Sequence, residues 1–164
     1  MRKVFLIALT TCLVALLSLL STSAVYAAKP TAVSGTFDYT FAITSERWAG
    51  DHYIFEATEW ETWEGDFEGT AVSFFRVMWF KYQSGGPMNV WLRSEFEGTV
   101  MGKQGTLVIQ LVGWRYLPDD WYGEWVIIRG TDDLANLHGR GYWGGPGFDA
   151  PGPDIWYSGQ IHFD

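Results

Sequence analysis

Alternation of apolar and polar side chains with a period of two runs through most of the chain and constrains its fold more than any other feature. In "GTFDYTFAIT" Phe37, Tyr39, Phe41 and Ile43 share one face, and the positions between them are mostly Thr or Asp. This period is that of a half-buried strand, because successive side chains of a strand point to opposite faces. The sequence therefore predicts a β-strand here.

Seven further runs rich in aromatic and β-branched residues follow, at about 52–62, 67–82, 89–100, 105–115, 121–130, 138–143 and 155–163. Stretches such as "WEGD", "SGGP", "GKQG" and "LPDD" predict turns between them. "GTDDLANLHGRG" predicts one short helical turn, capped by Thr131 or Asp132, with Leu134 and Leu137 on one side and Gly139 at its end. Eight antiparallel strands in such a chain close into a barrel or stack as a sandwich.

Two hairpin alignments assign the faces of the strands. Pairing the third and fourth runs around "SGGP" places Arg76 opposite Glu95 and leaves apolar side chains facing each other on the other face. Pairing through "GKQG" then places Phe96 opposite Leu111, so the same inner face continues into the fifth strand. We expect an all-β fold, a closed eight-stranded antiparallel barrel.

The phrase "DFEGT" at 66–70 returns as "EFEGT" at 95–99. In these alignments both phenylalanines and both glycines face inward, whereas Glu68 and Glu97 face outward. A glycine inside a strand marks a bend or a close approach, and small barrels need such bends to close. Small inward side chains also leave space at this end of the barrel, and the ligand-binding residues predicted around it are Gly69, Ala71, Ser73, Gly98, Phe75 and Trp79.

The first 27 residues are typical of a secretory signal peptide: "MRK", an apolar run from Val4 to Leu20, then "STSAVYA". We predict cleavage after Ala27, a single domain at 28–164, and a secreted or periplasmic protein; a retained anchor is the alternative. The one cysteine, Cys12, would leave with the signal. The mature chain would then have no disulfide, no thiolate metal site and no cysteine nucleophile.

The mature chain would be strongly acidic. With Arg2 and Lys3 removed, nine basic residues remain against 19 acidic ones, a net charge of −10. Nucleic acid and anionic membranes are poor partners for such a chain. We expect no cofactor and no metal, because the three histidines lack ligand-like spacing and "PDDW" and "TDDL" lack the alternating oxygen ligands of a calcium loop.

Three segments together resemble a bacterial family of unknown function. They are "WEGDFEGTA", "EFEGTVMGKQGTLVIQLVG" and "GTDDLANLHGRG", which resemble in order that family's three glycine-centred signatures. The resemblance runs from about residue 34 to the end and implies an allene oxide cyclase-like barrel, related more distantly to plant dirigent proteins. This chain departs from the family in its many tryptophans and in the stretch from Gly144 to Pro153. The matched motifs include no catalytic set, so no activity follows from them.

The acid-rich stretch "FEATEWETWEGDFEG" holds the candidate catalytic residues. If Phe55 faces inward so do Glu59 and Glu61, and if Trp60 faces inward so does Glu56. A carboxyl group inside an apolar barrel has a raised pKa and can act as a general acid or base. The alternative is that the run forms a solvated acidic face.

Ten tryptophans allow two interpretations: Trp48, Trp60, Trp63, Trp79, Trp91, Trp114, Trp121, Trp125, Trp143 and Trp156. They supply either bulk for packing or flat platforms for a ligand. Trp91, Trp114 and Trp125 share the outward phase with Met78 and Phe80 in our alignments, which predicts an outer apolar belt. Such a belt favours association with another copy of the chain.

We therefore expect an exported barrel that binds a small, largely apolar molecule at the end lined by the glycines. One alternative is an enzyme of cyclase or isomerase type that uses an inward carboxylate. Another is a carbohydrate-binding or cell-surface module that uses exposed tryptophans.

Overall fold

The computed structural model describes residues 29–147 and 155–164. The predicted signal peptide and most of the Gly/Pro-rich stretch after Gly144 lie outside the described residues. Eight antiparallel strands make up the fold: β1 Thr31–Ala49, β2 His52–Gly65, β3 Phe67–Trp79, β4 Met88–Val100, β5 Lys103–Arg115, β6 Trp121–Gly130, β7 Leu137–Gly145 and β8 Ile155–Phe163. Each strand is hydrogen-bonded to the next and β8 pairs with β1, so the strands form a closed ring.

The predicted strands are confirmed, but both predicted hairpin alignments are wrong by four residues. Arg76 lies opposite Trp91 rather than Glu95, and Phe96 lies opposite Leu107 rather than Leu111. The β4–β5 turn is the two-residue Met101–Gly102, with φ of 50° and 80°, and not "GKQG". Such a turn matches the twist of its flanking strands. A shift by an even number of residues leaves every side chain on its predicted face.

The predicted helical turn is confirmed in a shorter form, a 3₁₀ turn at Asp132–Leu134 between β6 and β7. Leu134 is fully buried and lies against Gly105 and Gly130 of the ring. Gly139 does not end the turn, because it already belongs to β7. Within the part of the chain that the structure describes, helices are too short and too polar to cross a bilayer.

Strand β1 closes the ring. Its first residues pair with β8, from Thr31 opposite Ile161 to Phe37 opposite Ile155, and from Gly35 onward it also pairs with β2. The pairing with β2 shifts between Ile43 and Ser45, which marks a bulge. Beyond it the strand extends to the β1–β2 turn.

Because the strands alternate in direction, their connections fall at two ends. We call the end with the β2–β3 and β4–β5 turns and the 3₁₀ turn the packed end, and the opposite end the cavity end. At the packed end the two copies of the repeated phrase face each other, with Gly69 directly opposite Gly98. A Cβ atom on Gly69 would lie 2.8 Å from the Gly98 Cα atom, so only glycines allow these backbones to approach.

Aromatic side chains fill the interior of the packed end. Phe67 and Phe96 are each 1% exposed, while Glu68 and Glu97 lie on the outside, as predicted. Trp63 packs against Phe67, Phe96 and Tyr157, with ring centroids 5.9, 6.0 and 5.1 Å apart. The Tyr157 hydroxyl accepts a hydrogen bond from the Phe67 N–H at 2.9 Å. Burial raises the pKa of Tyr157 to about 12, so this hydroxyl keeps its proton.

Candidate functional site

Two carboxyl groups lie inside the ring on β2. Phe55 and Ala57 face inward, and the alternation carries Glu59 and Glu61 to the same side, where they are 5% and 3% exposed. Glu59 pairs across the sheet with Ser73 and Glu61 with Ala71. The small partners on β3 leave room for the two longer acidic side chains.

Glu61 is held by donors from three strands. The Trp63 indole N–H and the Ser94 hydroxyl donate to Glu61 Oε2 at 2.6 and 3.1 Å, and the Ser73 hydroxyl donates to Oε1. All four residues are buried. Hydrogen bonds of this kind favour the ionised form of a carboxyl group.

Glu59 and Glu61 titrate as a pair. Burial, the negative charge of Glu61 and a hydrogen bond to Glu61 raise the pKa of Glu59 well above its usual range. Burial raises the pKa of Glu61 as well, against the opposing effect of the hydrogen bonds from Ser73, Trp63 and Ser94. Because the pKa of Glu59 is raised more, the pair holds its last proton on Glu59, which donates it to Glu61.

A cavity of about 40 Å³ lies beside Glu59 toward the cavity end. Its wall carries one carboxyl group among apolar and aromatic side chains: Phe37, Tyr39, Phe75, Val77, Val90, Leu92, Leu111, Trp121, Trp143 and Ile155. Several of these residues stand at or near the strand ends that form this end of the ring, such as Trp121, the first residue of β6. One water needs about 10–15 Å³ of such space, so the cavity has room for about three.

The six predicted ligand-binding residues are not brought together around this cavity. Phe75 lines it, whereas Ala71 and Ser73 lie next to the Glu61 carboxyl group. Gly69 and Gly98 lie at the packed end. The space that we predicted from their small side chains is occupied there by aromatic rings and by the facing backbone. Trp79 is half-buried, and its indole N–H is buried without an acceptor among the described residues.

Of the three acidic candidates, Glu56 lies on the outside of the ring. Its Oε1 accepts hydrogen bonds from the Nε and Nη2 atoms of Arg76, at 2.8 and 2.5 Å. Arg76 is about half exposed, so this is a surface ion pair across β2 and β3. The inward phase of β2 thus selects Glu59 and Glu61.

The outer wall carries many exposed aromatic side chains, with one correction to the prediction. Trp91 and Trp114 are exposed, but Trp125 is 3% exposed and faces the interior. Trp125 lies opposite the inward-facing Leu111, and along β6 it shares its face with Trp121 and Ile127. The predicted belt therefore runs over β3 to β5 without Trp125.

Two of the histidines come together although 24 positions separate them in the chain. His138 and His162 lie opposite each other on β7 and β8, and their rings stack with centroids 5.3 Å apart. Asp164 lies 3.0 Å from His138 Nε2 and 3.6 Å from His162 Nε2. The residues that the structure describes contain no group of three or more acidic, His or Cys side chains arranged to hold a metal.

Sequence reasoning missed the partners of the carboxyl pair. Ser94 and Trp63 were assigned to strands but not to a site, since no hairpin alignment joined them to Glu61. A signal was present: Ser73 and Ser94 are hydroxyl residues within runs of apolar inward positions, and they lie directly opposite each other. A buried serine needs a hydrogen-bond partner, which an inward glutamate supplies.

Comparisons with known proteins show a likeness in fold to a solved structure. No family model matches the chain, and no curated protein matches it. A crystal structure of a DUF3224 family protein of unknown function from Shewanella oneidensis MR-1 is similar, with a TM-score of 0.66 and 17% identity over 83% of this chain and 98% of that one. At this identity the likeness shows a shared fold alone.

Proposed function

We propose that the chain binds a small, largely apolar molecule in the cavity, with a hydroxyl group of that molecule against the Glu59 carboxyl group. The supporting observation is the composition of the cavity wall, which is apolar and aromatic except for Glu59. Glu59 donates its own proton to Glu61, so its remaining oxygen is a hydrogen-bond acceptor. Binding sites for small apolar ligands combine an apolar lining with a few such polar groups.

The size of the cavity limits what enters it. Pockets for drug-sized ligands measure about 300–1,000 Å³, far above the 40 Å³ found here. The cavity in this state accepts a group of a few heavy atoms, such as the hydroxyl-bearing edge of one ring. The rest of a longer molecule would lie among the half-buried aromatic residues at the rim, including Tyr39 and Phe41.

Tryptophan fluorescence tests this proposal, because Trp121 and Trp143 line the cavity. We expect cyclohexanol to produce a saturable change and methylcyclohexane, which has no hydroxyl group, a weaker one. Val90→Phe, which places a ring in the cavity, should abolish the response. Val72→Phe, at an exposed position of β3, should keep it. Equal responses of the two variants would refute binding in the cavity.

A second candidate function, an enzyme of cyclase or isomerase type, is supported by the Glu59–Glu61 pair. A buried pair that shares one proton can take up a proton from a substrate and return one to it, and it exchanges its protons with solvent between these steps. The probe is exchange of the α-hydrogens of cyclohexanone in D₂O, followed by NMR. We expect exchange faster than in buffer for the native chain and for Glu56→Gln, and none above buffer for Glu59→Gln. Exchange no faster than in buffer for the native chain removes this candidate.

We also propose that the ring belongs to the allene oxide cyclase-like barrels. The sequential order of eight antiparallel strands, its closure by β1 and β8, and the motif resemblance support this. Superposition of an experimental structure on an allene oxide cyclase tests it, and strands that cannot be paired one to one in chain order would contradict it.

We further propose that the chain is exported after removal of residues 1–27. The tripartite segment from "MRK" to "STSAVYA" supports this. Mass spectrometry of protein from the outside of cells should give an N-terminus at Ala28. Recovery of the chain only from the cytoplasm with its first residues intact would contradict it.

A further inference from the structure

A groove of about 900 Å³ crosses the outside of the ring over β5, β6, β7, β8 and the first half of β1. It is separate from the cavity, which lies on the inner side of the same strands. Its walls are outward-facing side chains, yet the buried Trp125 and Val33 also line it. Between the outward-facing side chains, residues of the sheet itself therefore form the floor of the groove.

Two facing glycines lie in the floor of the groove. Gly141 and Gly159 lie directly opposite each other on β7 and β8, at inward positions. A Cβ atom on Gly141 would lie 2.6 Å from the Gly159 Cα atom and 2.7 Å from Cε2 of Trp125. The strands approach each other and the Trp125 ring closely here.

Polar side chains cross the groove in two rows. Glu124, Tyr142 and Ser158 are paired across β6, β7 and β8, and two residues along each strand Arg140 is paired with Gln160 in a second row. All of these are outward-facing residues that line the groove. The rows place carboxylate, guanidinium, amide and hydroxyl groups side by side, so donors and acceptors are interspersed.

An aromatic border runs along one side of these rows. Trp114 and Tyr122 are paired on β5 and β6 with ring centroids 5.4 Å apart, and Tyr122 lies 6.4 Å from Trp156 on β8. Tyr122 also stacks on Tyr142 of the groove, at 5.9 Å and 21°. The three border rings are between 41% and 43% exposed. These rings offer apolar faces beside the polar rows.

We propose that this groove binds a neutral glycan chain. A sugar hydroxyl group both donates and accepts hydrogen bonds, so it can pair with either kind of polar group in the two rows. The C–H faces of sugar rings can pack against the exposed aromatic rings of the border. The charges of Glu124 and Arg140 cancel within the groove. The whole chain carries a net charge of −8, which disfavours the binding of a polyanion. Five neighbouring strands cover about 19 Å along the curved sheet, and the row from Glu124 to Ser158 covers about half of that, which is the scale of a short glycan.

Isothermal titration with neutral hexasaccharides of β-1,4-glucose, β-1,4-N-acetylglucosamine, β-1,4-xylose and α-1,4-glucose tests the proposal. We expect saturable binding of at least one of them, at least tenfold weaker in both Tyr142→Ala and Gln160→Ala. Trp60→Ala removes an equally exposed ring from β2, outside the groove, and should leave the affinity unchanged. An acidic hexagalacturonate should not bind.

Three results of the titrations overturn the proposal: no saturable binding of any neutral hexamer at about 10 mM, equal affinity in Tyr142→Ala and the native chain, or a loss in Trp60→Ala that matches the groove variants. A change of oligomeric state in Tyr142→Ala alone, seen by light scattering, also overturns it, because the groove is then an interface between copies. Val90→Phe fills only the cavity, so retained glycan binding in that variant separates this site from the proposed apolar site.

Discussion

At the packed end two glycines face each other and aromatic rings fill the interior, whereas on the other side of the carboxyl pair, toward the cavity end, large side chains enclose unfilled space. Both regions are built from strands of the same alternating pattern. At the packed end the inward aromatic rings pack against one another. The Tyr157 hydroxyl on β8 accepts a hydrogen bond from the Phe67 N–H at the start of β3. The carboxyl pair needs hydroxyl and indole donors that a simple apolar core would not contain. Buried ionisable groups cost stability, so their presence favours a functional role for that region.

The largest effect is expected for Glu61→Leu, which removes the acceptor of three buried donors. Each buried donor left without a partner costs about 1–3 kcal/mol, so we expect a loss of about 3 kcal/mol or more in the free energy of unfolding. Urea denaturation followed by tryptophan fluorescence measures it. Glu64→Leu, at an exposed position on the same strand, should change it by less than about 0.5 kcal/mol. A Glu61→Leu chain as stable as the native one would show that the three buried donors do not depend on Glu61.

Gly69→Val tests the packed end. The new side chain would meet the Gly98 backbone at 2.8 Å, so the strands must separate. Overpacking of this kind costs about 1–3 kcal/mol. Thr70→Val places the same side chain on the outer face of β3 and should cost less than about 0.5 kcal/mol. Similar midpoints for the two variants in thermal unfolding would contradict the close packing of the two glycines.

The pH dependence of stability distinguishes the two ends further. Glutamate ordinarily titrates near 4.5, and Glu59 holds its proton more tightly in the folded chain. Its stabilising contribution is therefore complete below pH 4.5 and is lost as the pH rises through the raised pKa, by at most about 1.4 kcal/mol per pH unit. Urea midpoints between pH 5 and 8 should fall for the native chain and fall less for Glu59→Gln. Parallel curves would argue against a protonated Glu59.

The smallest effect is expected for Glu56→Gln, outside both regions. Its ion pair with Arg76 is solvent-exposed, and such pairs contribute about 0.2–1 kcal/mol. The loss should shrink further in 1 M salt, where charges are screened. An effect as large as that of Glu61→Leu would mean that the outer face of β2 contributes as much as the inner one.

The face of the sheet on which a side chain lies could be predicted from the sequence, but the side chains that it contacts could not. A period of two assigns each side chain to a face whatever the register, which is why Phe67, Phe96, Glu68 and Glu97 were placed correctly although the hairpins were shifted by four residues. Which side chains meet depends on register, and register depends on the two-residue turn at Met101–Gly102, which "GKQG" obscured. The same holds for Trp125, whose inward face follows from its pairing with the inward Leu111.

The candidate site was half predictable for the same reason. The alternation reduced three acidic candidates to two possible phases. Only the pairing of β2 with β3 and of β3 with β4 shows Ser73 and Ser94 at the carboxyl pair. Space inside the ring was predicted from small residues alone. The large rings of the packed end, contributed by distant strands, occupy that space instead.

The pairing of β1 with β8 places the beginning and the end of the ring side by side, since Thr31 lies opposite Ile161. Every strand of the ring, β1 included, has a neighbour on both sides, so the ring itself does not distinguish a first strand from a last one. A short linker from Asp164 to Pro30, with new termini opened at the exposed Met101–Gly102 turn, would preserve every pairing except that of one hairpin. The strands therefore form a circle, and a chain that began at another of its turns would place the same strands beside the same neighbours.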